Sequence, residues 1–165
     1  MSYPVKVHLE YNLWTIQRMV ETIKPLEDQV FYSPLKSSFP GIAKTILHLW
    51  DSNIIWNKRL EGLSIENRPT SSFSGNREEL LTHWISSSED TIRLIGSKGD
   101  NFLNEKISYR TLKGVPYTTV VEDILFHIVN HATYHRGQIV TMLHEVGVSK
   151  IENTDLVNFL RTKGR

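Results

Sequence analysis

The 165-residue chain contains no cysteine. That absence excludes a disulfide framework, a cysteine-based zinc knuckle, an iron–sulfur cluster, c-type haem attachment and a protein thiol nucleophile. An excess of charge is missing as well: 19 Lys+Arg against 18 Asp+Glu leave a formal net charge of +1, with no Lys/Arg cluster along the chain. Duplex-binding proteins carry a basic face or stripe, so nucleic acid is not an expected partner. No stretch approaches the ~20 apolar residues of a membrane helix. Lys6, His8 and Glu10 interrupt the region where a secretory signal would be apolar. A cytoplasmic protein without a membrane partner is expected. Hydrophobic content of 39% and charged content of 22% are those of an ordinary globular chain, and the length predicts one domain over residues 1–165.

What is present is helical periodicity. The spacing predicts a first helix from about Tyr3 to Ile23, with Leu9, Leu13, Ile16, Met19, Val20 and Ile23 on one face and Pro25 ending it. A loop with three prolines and several serines runs from Lys24 to Pro40. The second helix spans about Gly41 to Leu60, with Gly62 as its stop. A polar connector from Ser64 to Gly75 leads to a third helix, about Asn76 to Ile95. Ile107, Tyr109 and Leu112 then flank Lys113-Gly114, a pattern that fits either a short β-hairpin or an ordered loop. Thr119-Val-Val-Glu122 matches a capping box and predicts the start of a fourth helix running to about Val146. A short helix is expected within Ile151–Arg165. The fold class is all-α: a four-helix bundle with a short irregular or hairpin segment before the last long helix.

Histidines dominate the chemistry-bearing residues. On the fourth helix Val121, Ile128, His135 and Met142 recur every seven residues, flanked by Leu125, Ala132, Ile139 and Val146, and form the core stripe. His131 shares the adjacent inward row with Ile124, Gln138 and Glu145. His131 and His135 therefore lie ~40° apart around the helix and ~6 Å apart along it, close enough for one ion. His127 lies on the flank and ~12 Å from His135 along the axis, too far to share that ion. His144 points away. Buried imidazoles need hydrogen-bond partners or a metal, and spacing alone leaves both open.

His48 is the candidate third ligand, yet in projection it falls opposite the apolar arc of Ile42, Ile46, Leu49, Trp50, Trp56 and Leu60, beside Thr45, Asp51 and Ser52. That stripe is either solvent-exposed or faces a hydrated cavity. Two metal classes are excluded: position 132 is Ala, so His-Glu-x-x-His is absent, and no histidine has Glu three residues before it, as carboxylate di-iron bundles need.

The chain resembles the DinB / YfiT-like family of bacterial damage-inducible proteins. Leu9-Glu-Tyr-Asn-Leu-Trp14 resembles its first-helix motif, and Ile46-Leu-His48-Leu-Trp-Asp51 its second-helix histidine segment. Phe126-His-Ile-Val-Asn-His131-Ala-Thr-Tyr-His135-Arg-Gly-Gln-Ile139 resembles its fourth-helix signature, the most specific of the three. The resemblance implies a four-helix bundle in which His48, His131 and His135 bind one divalent metal, zinc or nickel; imidazole ligands suit iron as well. Three neutral imidazoles leave an open position, the arrangement of a catalytic site. Some relatives resemble thiol S-transferases or isomerases acting with bacillithiol, mycothiol or glutathione. The expected function is thus a metal-dependent low-molecular-weight-thiol S-transferase in stress or detoxification, with a small thiol and an electrophile as partners. Metal-assisted hydrolysis and a non-catalytic metal-binding stress protein are the alternatives. No residue is assigned as catalytic. Asp51, His127 and Arg136 are candidate assisting groups, each more readily structural. Phe126, Val129, Val140 and Leu143 lie outside the core stripe, which suggests burial under loops or a homodimer face.

Overall fold

The computed structural model describes residues 3–164, with side chains described for all of these but 3, 4 and 100. Arg165, where the expected terminal helical segment ends, lies outside the described residues. In chain order the elements are α1 (Tyr3–Ile23), a single turn α2 (Asp28–Phe31), α3 (Ile42–Leu60), α4 (Arg77–Gly96), β1 (Lys106–Arg110), β2 (Pro116–Val120), α5 (Val121–Glu145) and α6 (Leu156–Thr162). The structure is mostly helical, with one two-stranded antiparallel sheet pairing Tyr109 with Tyr117. Helix α1 packs against α4 and α5, and α3 packs against the same two.

Local chemistry sets the helix ends. Gly41 precedes α3 with φ 99 and ψ 170, a conformation essentially restricted to glycine, and a Cβ there would sit 2.3 Å from the Ser33 carbonyl oxygen. At the other end of α3, Gly62 at φ 82 lets its N–H reach the Arg59 carbonyl while Leu63 N–H reaches that of Lys58, a Schellman stop. Helix α4 begins with a reciprocal capping box: Asn76 accepts from Glu79 N–H at 2.9 Å, and Glu79 accepts from Asn76 N–H at 2.8 Å.

The capping box expected at Thr119–Glu122 does not form. Thr119 belongs to β2, paired with Ile107, and its hydroxyl lies 3.2 Å from that of Tyr109. Helix α5 starts after Val120 without a side-chain cap; Val121 N–H instead donates to the Glu105 carbonyl at 2.9 Å. The hairpin thus does the capping, and the ambiguous segment before the last helix is a sheet.

Each long helix passes from one apolar cluster to another. One cluster gathers Ile16, Ile46, Trp84, Ala132 and Met142; the second gathers Leu9, Leu60, Ile95, Leu125, Ile128 and Phe159. Buried polar residues occupy the changeover: Asn12 and Thr15 on α1, Asn53 and Asn57 on α3, Ser87, Ser88 and Thr91 on α4. They satisfy one another. Asn53 donates to Ser87 Oγ at 3.1 Å, Asn57 donates to the Ser87 carbonyl at 3.1 Å, and Thr91 donates to Asn57 Oδ1 at 2.8 Å. A satisfied bond of this kind adds only about 1 kcal/mol net, but leaving one partner unpaired costs about 1–3 kcal/mol, so the belt fixes helix register. Of the four apolar residues that prompted the dimer expectation, Val129 and Leu143 are buried, and Phe126 and Val140, partly buried, pack against the two clusters. No helix among the described residues is long and apolar enough to cross a membrane.

Candidate metal centre

The seam between α3 and α5, at the level where the apolar core gives way to polar residues, brings three histidines together. His131 follows Val129 of one cluster and precedes Ala132 of the other, so the packing of these neighbours turns it toward α3. His48 meets it there, with Nε2 atoms 3.0 Å apart. With His135 added, one ligand nitrogen from each residue lies within 4.8 Å of the others. Zinc–nitrogen bonds of ~2.0–2.1 Å in tetrahedral geometry require nitrogens ~3.3 Å apart, so small side-chain adjustments suffice.

The rings are held from outside. Gln138 Nε2 donates to Ser38 Oγ at 2.8 Å, which turns its Oε1 to His135 Nδ1 at 2.7 Å. His135 Nδ1–H then donates to that oxygen, and its Nε2 keeps a lone pair for the cluster. His131 Nδ1 lies 3.4 Å from Ser52 Oγ, one turn beyond His48 on α3. Phe39, from the loop before α3, stacks on His48 with centroids 3.9 Å apart and tilts over His135 at 5.5 Å. Burial, then the neighbouring His131 and His135 and the more distant Arg68, push the His48 pKa down to about 3. Burial, then His135 and His127, push that of His131 down to about 4. Both are uncharged at neutral pH, the form in which imidazole ligates a metal. Three convergent imidazoles, two with their outer nitrogens occupied, fit a divalent ion.

The sequence expectations divide here. The helical projection set His48 on a polar side of α3; the structure shows that this side is turned inward, with Thr45 and Asp51 buried and His48 half-buried. Asp51 orients no imidazole through any hydrogen bond among the described residues. It accepts from Thr70 N–H at 2.8 Å and faces Arg68 at 3.9 Å, tethering the connector to α3. Arg136 is buried and binds Asn12 and Thr133, clamping α5 to α1. His127 is exposed, edge-on to Trp56 at 5.1 Å and stacked beside His131 at 5.7 Å. Sequence reasoning missed Ser52, Gln138, Ser38 and Phe39. Ser52 stands four residues after His48 and Gln138 three after His135, spacings that place each on its histidine's face. Nothing in the spacing of the proline- and serine-rich loop marks Ser38 or Phe39.

A cleft of about 430 Å³ opens beside His48, between α3 and the turn joining β1 to β2.

Known proteins share this architecture. The chain is 28% identical over 145 residues to "Protein DinB" of Bacillus subtilis (strain 168), covering 84% of this chain and 83% of that protein. The crystal structure of a DinB-like protein from Bacillus cereus ATCC 10987 superposes with a TM-score of 0.67 at 13% identity, covering 87% of this chain and 91% of the other. A DinB-like protein from Bacillus subtilis gives 0.64 at 14% identity, covering 90% and 97%. The family model for the DinB family matches residues 1–163, and the chain belongs to that family.

Proposed function

We propose that His48, His131 and His135 bind one divalent metal and that the protein is a metal-dependent enzyme, a low-molecular-weight-thiol S-transferase. In this reading α1, α3, α4 and α5 act as a four-helix bundle that presents the α3 and α5 histidines to each other. The observation that carries it is the convergence of three imidazole nitrogens while the outer nitrogens of His131 and His135 face Ser52 and Gln138. A zinc, nickel or iron ion bound there supplies a Lewis acid that favours the thiolate form of a small thiol at neutral pH. The three histidines would hold the ion, and burial keeps His48 and His131 in the uncharged form that ligation needs. Ser52 and Gln138 orient their rings. Phe39 shields one side from water, and the cleft beside His48 gives a small molecule access to the cluster. That access favours an exchangeable position over a closed structural site.

The test is transferase turnover with bacillithiol, mycothiol or glutathione and a chlorodinitrobenzene electrophile. The thiol sulfur forms the new C–S bond, chloride leaves and the thiol proton passes to solvent. Turnover that needs added metal and disappears in His131→Ala supports the reading. Metal-loaded protein with no turnover for any of the three thiols contradicts the transferase assignment.

A further inference from the structure

We propose that the cleft between α3 and the β1–β2 turn is a binding site for a small organic anion, its charged group paired with Arg59 and its apolar body against Trp56, Leu112 and Val115. The cleft wall also includes His48, but the cations that define this site lie on the last turns of α3, the connector and the hairpin. The inference therefore does not depend on the metal reading.

Arg59 is the reason. Its side chain lines the cleft although the residue is only 7% exposed, and its Nε is buried without a hydrogen-bond partner among the described residues. Nη2 has one acceptor among the described residues, the Arg110 carbonyl at 3.3 Å. The guanidinium sits in the corner of two rings set 74° apart, 4.5 Å from the Trp56 centroid and 4.6 Å from that of Tyr109. Arg59 has no carboxylate partner among the described residues, and a guanidinium in that state pairs readily with the carboxylate of a ligand or a similar anion. A buried cation without a counter-ion is costly, and burial holds the Arg59 pKa below its usual value.

No carboxylate of the cleft compensates it. Asp51, the one acidic residue among those lining the space, is engaged by Arg68 and by Thr70 N–H. Arg59, Arg68 and Lys113 therefore outnumber it on the cleft surface, and the latter two are exposed at the mouth, where they steer an anion inward. Val115 and Tyr117 are among the few large apolar residues left exposed, and both line this space. An apolar wall beside a buried guanidinium that lacks a counter-ion suits an organic acid better than an inorganic ion.

The experiment compares phenylbutyrate with its uncharged counterpart phenylbutanol by NMR titration of the full ¹⁵N-labelled chain, both metal-free and metal-loaded. Phenylbutyrate should shift the amides of the β1–β2 turn and the Arg59 Nε–Hε resonance in both forms, and bind about tenfold or more tightly than phenylbutanol, as a charge-assisted pair requires. Arg59→Gln should bring the acid down to the affinity of the alcohol while leaving the alcohol unchanged. Lys113→Gln, at an exposed position, should weaken the acid about two- to threefold. Affinities of acid and alcohol within twofold on the wild type overturn the inference, as does an Arg59 resonance that does not respond. So does binding seen only in the metal-loaded form, which would place the anion on the ion. If Arg59→Gln fails to fold, the wild-type comparison and the Arg59 resonance decide.

Discussion

Replacing Gln138 by Met tests how the site is held together. Gln138 has two jobs: its Oε1 receives the His135 Nδ1–H at 2.7 Å, and its Nε2 donates to Ser38 at 2.8 Å, next to the Phe39 that covers His48. Met keeps the length and apolar stem and removes both polar functions. Two losses follow: His135 is freed to rotate or to adopt the other tautomer, and the covering loop loses its latch. Outer contacts to metal-bound histidines contribute roughly 10–100-fold in affinity, equivalent to about 1.4–2.7 kcal/mol. Losing a partner for a buried imidazole nitrogen costs about 1–3 kcal/mol, an agreeing range. The assay is competition for zinc against a chromophoric chelator at pH 7.5, with wild type, Gln138→Met and Gln138→Glu side by side. Gln138→Met should bind about 10–100-fold more weakly. Gln138→Glu keeps an acceptor for His135 and should retain most of the affinity. A Gln138→Met protein within twofold of wild type would refute the idea that this contact orients the ring.

Further outcomes follow from the same structure. The metal-free protein should lose stability on acidification: His48 and His131 are held at about 3 and about 4 against an ordinary 6.5. Between the unfolded and folded values the unfolded chain binds more protons, so stability present above 6.5 is lost as pH falls through that window. Thermal melts from about pH 7 to 5 should show a falling Tm, less steep in His131→Gln; a flat profile contradicts this. Gly41→Ala forces a Cβ 2.3 Å from the Ser33 carbonyl oxygen in a glycine-only conformation. It should cost about 2 kcal/mol or more in urea unfolding and weaken metal binding through the adjacent Phe39; a loss below about 0.5 kcal/mol would show that the loop yields. Asn57→Ala removes the Asn57 bonds to Thr91 and to the Ser87 carbonyl, which keep only their mutual bond within α4, and should lower stability by about 1–3 kcal/mol, with an unchanged unfolding midpoint as the contrary result.

Much of this molecule is readable in its residues, and the exceptions have physical causes. His131 and His135 fall on one helix face by spacing alone, and the long helices follow from apolar periodicity and from glycines or Pro25 at their ends. His48 is different. Helix α3 buries an apolar face in one direction and a polar face in another, where Asn53 and Asn57 meet α4 and His48 meets α5. A projection that equates polar with exposed sets it outside, and only the resemblance of its flanking segment pointed inward. Thr119 and Glu122 misled for another reason: the motif is local, while pairing with β1 claims Thr119 for the sheet and Glu105 supplies the acceptor for α5. Ser38 and Phe39 reach the site from an aperiodic loop, positioned by a tertiary bond to Gln138 that local pattern does not encode. Arg136, adjacent to His135 in sequence, turns to α1 because a helix sends neighbouring side chains in different directions.

Whether the three histidines bind a metal is decided by the metal content of tag-free protein by elemental mass spectrometry, measured beside His48→Ala and His131→Ala. Close to one divalent ion per chain is expected in the wild type, with its loss from both variants, one on α3 and one on α5. Metal retained in His48→Ala would contradict the cross-helix site, and a wild type that holds none after reconstitution would leave the three histidines as hydrogen-bonded core residues.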